Sequence, residues 1–278
     1  MAGSVIVSWA RTPIGRLGGA LSPLSASTLG GLAIAAALER AGIGPEVVDH
    51  VVMGQVLQAG QGQITARQAA VAAGINMDVP ALTVNKVCLS GLQALYLADQ
   101  LIRSGDAEVV VAGGMESMTN APHLLPGARS GFRLGDARLV DSMIQDGLWC
   151  AFDGIHMGAG TERDSAVAGI GREAQDSYAA RSHERAAAAV KAGRLTEEIV
   201  PVEVARAKGA PILVEADEGI RPGTTVERLS TLAPAFAPAG TVTAGNASQI
   251  SDGAAALVVT SWAGAERLGA EPLAELVG

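Results

Sequence analysis

The stretch Ala81–Gly105, A-L-T-V-N-K-V-C-L-S-G-L-Q-A-L-Y-L-A-D-Q-L-I-R-S-G, decides the fold. Ala81–Val87 is short, apolar and β-branched, and Pro80 bounds it, which predicts a buried strand. The period changes at Leu89. Leu92, Leu95, Tyr96, Leu101 and Ile102 fall at helical spacing, and Ser104-Gly105 supplies the stop. Cys88 therefore stands where a strand turns into a helix, with Ser90 and Gly91 in the first helical turn. The first N–H groups of a helix have no partner inside it and carry partial positive charge, a setting that favours thiolate over thiol. The same donors suit a developing carbonyl oxyanion, and Gly91 leaves room beside the sulfur for a bulky thioester. A cysteine here is either a small buried hydrophobe or a nucleophile, and residue type alone leaves both open.

The alternation of strand and helix extends outward from this stretch. Ser4–Ala10 predicts a first strand and Arg11-Thr12-Pro13-Ile14-Gly15 a turn-rich connection. Leu29–Ala41 predicts a helix ending at Gly42, Val48–Leu57 a second strand, and Thr65–Ala73 a helix stopped by Gly74. Glu108–Ala112 predicts a strand running into Gly113-Gly114-Met115-Glu116-Ser117. Such a chain is α/β, a parallel or mixed sheet covered on both faces, with a V-V-V-A strand near its centre.

From Met118 to Gly245 the character changes. Asn120–Asp141 is rich in proline, glycine and arginine, a long helix is expected over Arg172–Lys191, and a polar stretch runs to Gly223. This reads as an excursion from the core that returns at Thr241. Thr241–Thr260 then predicts a glycine turn, a short helical piece and a core strand. A short helix, Ala263–Gly269, leads to Leu273–Val277, which reads as the start of another strand. The expected organisation is a core over residues 1–117, an insertion over 118–245, and, over 246–278, a return to the core and the start of a truncated C-terminal half.

Composition narrows the function. With 49% hydrophobic but only 3% aromatic residues and 35 glycines, the core is built from small side chains that let helices lie close on a sheet. A net charge of −8 argues against nucleic acid as a general partner and against an acidic membrane surface, so an anionic ligand must be met by local arginines or helix N-termini. Two cysteines make no disulfide framework, and no second Cys or His stands at zinc-ligand spacing. No stretch approaches the roughly 20 apolar residues of a membrane span, and the N-terminus lacks a basic signal-peptide region. A reduced, cytoplasmic setting is the expectation.

Three further segments are candidates for chemistry. Glycines surround His156 and Met157, so these side chains face a ligand channel unless His156 is an ordinary satisfied histidine. Arg221 stands between turn residues in E-G-I-R-P-G and is either a solvated charge or an anion contact. Gly245-Asn246-Ala247-Ser248 is a turn rich in hydrogen-bonding groups, for a ligand or for capping by Ser251 or Asp252. Gly113-Gly114 lacks the spacing of a dinucleotide loop, and there is no G-x-S-x-G.

Together these stretches resemble the thiolase family, of the acetyl-CoA acetyltransferase or 3-ketoacyl-CoA thiolase kind. The match runs through V-I-V-S-W-A-R-T-P-I-G-R-L-G-G (Val5–Gly19), N-K-V-C-L-S-G-L-Q-A (Asn85–Ala94), G-G-M-E-S-M (Gly113–Met118) and A-P-H (Ala121–His123). It continues with D-G-L (Asp146–Leu148), H-M-G (His156–Gly158), D-E-G-I-R (Asp217–Arg221), T-V-T-A-G-N-A-S (Thr241–Ser248) and D-G-A-A-A (Asp252–Ala256). The resemblance implies a thiolase-like layered fold, here its first βαβαβ half with the inserted loop domain. It implies that Cys88 is the acyl-accepting nucleophile, that the Cys88 N–H is half of an oxyanion hole, and that His156, Met157, Arg221, Ala244 and Ser248 line the coenzyme path. Arg228 replaces another polar contact. The implied reaction is reversible Claisen condensation or thiolysis of acyl-CoA, with coenzyme A as substrate and no further cofactor or metal. The Asn120–Asp141 loop resembles the segment that pairs thiolase dimers into tetramers, so a homo-oligomer is expected.

The family's second half supplies an Asn-Glu-Ala-Phe segment, a Gly-His-Pro histidine and a Cys-x-Gly cysteine, none of which occurs in these 278 residues. The expectation is therefore a truncated or split form, inactive in turnover unless paired with a C-terminal thiolase half. The alternative is a non-catalytic CoA-binding or interaction protein derived from the same fold, and a third reading is a ketoacyl synthase.

Overall fold

A strand such as Val109-Val110-Val111-Ala112, apolar on both faces, needs neighbours on either side and helices above and below. A computed structural model describes residues 3–206 and 208–277 and provides that setting. In chain order the elements are β1 (Ser4–Arg11), β2 (Gly15–Arg16), α1 (Ala26–Ala41), β3 (His50–Gly54), α2 (Thr65–Ala72), β4 (Ala81–Val84), α3 (Ser90–Ser104) and β5 (Val109–Ser117). There follow β6 (His123–Leu124), β7 (Val140–Asp141), β8 (Trp149–Cys150), β9 (Ile155–His156), α4 (Met157–Val167), α5 (Arg172–Lys191), β10 (Val202–Val204) and β11 (Ile212–Val214). The last are α6 (Val226–Ser230), β12 (Ser251–Ser261), α7 (Trp262–Leu268) and β13 (Ala274–Glu275).

The chain divides into two compact units, Met1–Pro122 with Glu198–Glu218 and Ser251–Gly278, and His123–Glu197 with Gly219–Ile250. In the first, a mixed sheet runs in the order β13-β1-β12-β5-β3-β4, with β2 on β12. β3 is parallel to β4 and β5, whereas β12 is antiparallel to β5 and β1. Strand alternation sorts the core into two layers. Val51, Met53, Val109 and Val111 pack in one cluster with α1 and α2 residues such as Leu29, Ile34 and Ala69. Val52, Val110 and Ala112 pack in the other with Ala94, Ala98 and Ile102 of α3. Ser25 caps α1 by accepting the Thr28 N–H, and Gly42 ends it in the left-handed conformation.

Several expectations need correction. The strand at 81 ends at Val84, not Val87, and β4 is an edge strand rather than a buried one, with Leu82 exposed. The strand expected over Val48–Leu57 ends at Gly54, because the N–H groups of Val56 and Leu57 donate to the Glu116 carboxylate instead of to a strand. No helical piece follows the Thr241 turn; Asn246 Oδ1 takes the Thr243 N–H and the chain stays irregular until β12. Asp252 caps no helix: it lies in β12 and accepts both the N–H and the hydroxyl of Thr119. β13 pairs with β1, Ala274 opposite Ile6, and so extends the first sheet.

Glu198–Glu218 falls within the stretch 118–245 expected as the excursion, yet it packs in the first unit. Val202, Val204 and Val214 are buried in its larger core cluster. Arg11 pins both ends, donating to Glu198 and, at 2.7 Å, to Asp217. Among the described residues no helix is long and apolar enough to cross a membrane.

Candidate active site

Cys88 lies past the C-terminal end of β4, two residues before α3 begins, and it is exposed. The turn that presents it is built locally. Asn85 Oδ1 accepts the Val87 N–H at 2.9 Å, Ser90 Oγ accepts the Lys86 N–H at 2.8 Å, and the Ser90 hydroxyl donates to the Val87 carbonyl at 2.6 Å. Val87 is held at φ +50°, a left-handed conformation costly for a β-branched residue. Strain of this kind persists only where the surroundings enforce it, and here it sits one residue before the sulfur.

Glycines bring α3 down onto the sheet. A Cβ on Gly54 would lie 2.6 Å from the Gly91 nitrogen and closer still to the Ser90 carbonyl carbon, an overlap the backbone cannot accept. Gly91 faces Gly113 and Gly114 with no clash, the nearest atom to a Cβ being 3.8 Å away. Gly91 lies against the strand backbone and also lines the space beside the sulfur, while Gly54 is the position where only hydrogen fits. A cavity of about 350 Å³ opens beside the sulfur, walled by Cys88, Gly91, Val56, Met115, Glu116 and Ala254 among others.

Glu116 belongs to the G-G-M-E-S-M stretch, and the structure gives it a place. Its Oε2 accepts the Val56 and Leu57 N–H groups at 2.9 and 3.2 Å, fixing one wall of the cavity. Its Oε1 is buried and meets no hydrogen-bond partner among the described residues. Burial pushes the carboxyl above the usual carboxylate range, against the pull of those N–H donors. Its partners lie about 60 residues away in sequence, so no local signal marks it.

The remaining candidates all lie in the second unit. His156 ends β9 and caps α4: its Nδ1 accepts the Gly158 N–H at 3.1 Å, which leaves Nε2 as the protonated nitrogen of the neutral ring. Its ring stacks on Phe236, centroids 4.9 Å apart, and Gly158 has no space for a Cβ against that phenyl group. Met157 opens α4 with its side chain exposed. The Arg221 N–H donates to His183 Nδ1 on α5, and Arg228 donates to the Gly223 carbonyl, closing the loop that carries Arg221. Ala244 and Ser248 are exposed on the turn held by Asn246. Glu162 clamps the start of that turn, accepting the N–H groups of Thr241 and Val242. Slight burial opposes its ionisation, but those donors prevail and hold the carboxyl below its ordinary range. Cys150 is half-buried in the β8–β9 hairpin, with its sulfur accepting the Asp153 N–H. Among the described residues no group of three or more His, Cys, Asp or Glu side chains could hold a metal ion.

Comparison with known proteins agrees with this geometry. The thiolase N-terminal domain matches residues 4–263. The acetyl-CoA acetyltransferase of Cupriavidus necator is 56% identical over 272 residues, 98% of this chain and 69% of that protein. The probable acetyl-CoA acetyltransferase of Mycobacterium tuberculosis is 55% identical over 276 residues, 99% and 70% of the two chains. That of Pseudomonas aeruginosa is 52% identical over 272 residues, 98% and 69%. An exposed cysteine on a strained turn between strand and helix, in a sheet of this order, with identity at this level over nearly every residue, places the chain in the thiolase family.

Proposed function

We propose that this chain is an acyl-CoA acyltransferase of the acetyl-CoA C-acetyltransferase kind, with Cys88 as the acyl acceptor. One observation carries the reading: the Cys88 sulfur is exposed beside a cavity and presented by a strained turn. An inert structural cysteine needs neither feature. In the first half-reaction the thiolate Sγ forms a bond to the thioester carbonyl carbon, and the carbonyl electron pair moves to oxygen. Collapse breaks the carbon–sulfur bond to coenzyme A, whose thiolate leaves and takes a proton. The second acyl-CoA loses a proton from its α-carbon, attacks the acyl-cysteine carbonyl and releases the Cys88 thiolate with a 3-ketoacyl-CoA. Thiolysis runs the same steps in reverse.

The coenzyme contacts of the reading are His156, Met157, Arg221, Ala244 and Ser248. The Nε2–H of His156 is a donor for an amide carbonyl, and Arg221 is a cation for phosphate. The reading also includes a homo-oligomer. The test is mass spectrometry of peptides after incubation with acetyl-CoA and rapid acid quench. An acetyl group is expected on Cys88 and on no other residue, and none in Cys88→Ser. Folded protein that carries no acetyl group, or carries it equally on Cys150, overturns the assignment.

A further inference from the structure

We propose that Asp176 is a positioning residue for the coenzyme path, setting the Thr243–Ser248 turn through Asn246 and α6 through Arg172. The inference rests on the reading of that turn as a coenzyme contact. Asp176 is only 1% exposed, and a buried carboxylate is costly unless each oxygen is met. Both are met. Arg172 Nε donates to Oδ2 at 2.7 Å and Asn246 Nδ2 donates to Oδ1 at 2.9 Å.

Each of those partners then holds backbone rather than another side chain. Asn246 accepts the Thr243 N–H at 2.7 Å and donates to the Thr241 carbonyl at 3.0 Å, which fixes both limbs of the turn. Arg172 Nη2 donates to the carbonyls of Leu229 and Leu232, at the end of α6. Turn and helix also touch: a Cβ on Gly245 would lie 2.5 Å from both Leu229 and Leu232. Two helical turns further along the same face of α5, His183 accepts the Arg221 N–H. One face of α5 thus holds, through Asp176 and His183, the two loops that carry Ser248 and Arg221. A pair whose only task was to stabilise could be replaced by apolar packing; one whose partners bond to the backbone of the turn and of the end of α6 sets where those two segments stand.

The test uses the full chain with Asp176→Asn, which sets an N–H₂ against one of two donors, Arg172 or Asn246, and with Asn246→Ala, which keeps the Arg172–Asp176 pair and removes its reach to the turn. Three measurements are made on each: the calorimetric Kd for coenzyme A, amide exchange over 243–248, and the rate of Cys88 alkylation. Coenzyme A is expected to bind about tenfold more weakly, the size of effect that the loss of one well-placed hydrogen bond produces. Exchange should rise over 243–248 while Cys88 alkylation, which reads the other unit, stays at the wild-type rate. Wild-type Kd and exchange in folded Asn246→Ala overturn the inference even where Asp176→Asn fails to fold. If wild-type protein binds no coenzyme A, the functional reading fails instead, and amide exchange still decides whether Asp176 sets the turn.

Discussion

Two sulfurs and one carboxyl show what single residues contribute. Cys88 is exposed beside its cavity, whereas Cys150 is half-buried in a hairpin and already accepts the Asp153 N–H. Limiting iodoacetamide at neutral pH is therefore expected to label Cys88 before Cys150, read by peptide mass spectrometry; equal labelling of folded protein would contradict the site. Glu116 makes a prediction in pH. Its folded-state pKa is raised by burial, so the stability it contributes is full below the unfolded value, about 4.3, and is lost as pH rises through the folded value. Glu116→Gln keeps an oxygen for the Val56 and Leu57 N–H groups but cannot ionise. The melting temperature of the variant should gain on that of wild type as pH rises from acid to neutral. A difference that stays constant across that range would mean the carboxyl ionises freely.

At the scale of elements, the glycines where α3 meets the sheet separate close approach from open space. Gly54→Ala forces a methyl group into the Ser90–Gly91 backbone, and overpacking of this kind costs about 1–3 kcal/mol. It should lower the denaturation midpoint and change the alkylation rate of Cys88, since the displaced backbone carries the turn. Gly91→Ala finds only ordinary contact and should stabilise by up to about 1 kcal/mol through helix propensity. Similar losses in both variants would show that α3 does not lie on the sheet as described. The sequence made the helices legible because their stops are local: Gly42 and Gly105 end α1 and α3 where expected, both left-handed. The apolar stripe of α3 was legible, but its direction was not. Ala94, Ala98 and Ile102 face the sheet, while Leu92 and Tyr96 stand 65% and 56% exposed. Small side chains win the inner face because Gly54 and Gly114 bring the helix so near. Likewise the cysteine and its turn could be read from contiguous residues, whereas Glu116 holds Val56, 60 residues away, and Asp176 reaches the turn only through Asn246, 70 residues away.

For the whole molecule, the apolar residues that α3 turns outward raise the question of assembly. β4 is an edge of the sheet, and its outer ladder of N–H and C=O groups is a template for another strand. Around it Leu82, Val87, Leu89, Leu92 and Tyr96 are all exposed, large side chains on β4, the Cys88 turn and the outer side of α3. Isolated exposed apolar residues need no explanation, but five along one edge strand, its turn and the following helix mark an interaction surface. A net charge of −8 makes copies repel one another at long range but does not cover that surface. The expected outcome is association of two copies through the β4 edge and α3. Sedimentation should give a dimer or a larger even-numbered assembly. The double change Leu92→Glu and Tyr96→Glu should dissociate it while leaving far-ultraviolet circular dichroism unchanged, because neither side chain contributes to either core cluster. A wild-type chain that sediments as a monomer at all accessible concentrations would remove this edge as a contact between copies. A dimer untouched by the two charges would place the contact elsewhere, with the exposed Phe132, Leu134 and Leu139 of the 120–141 loop the next surface to charge.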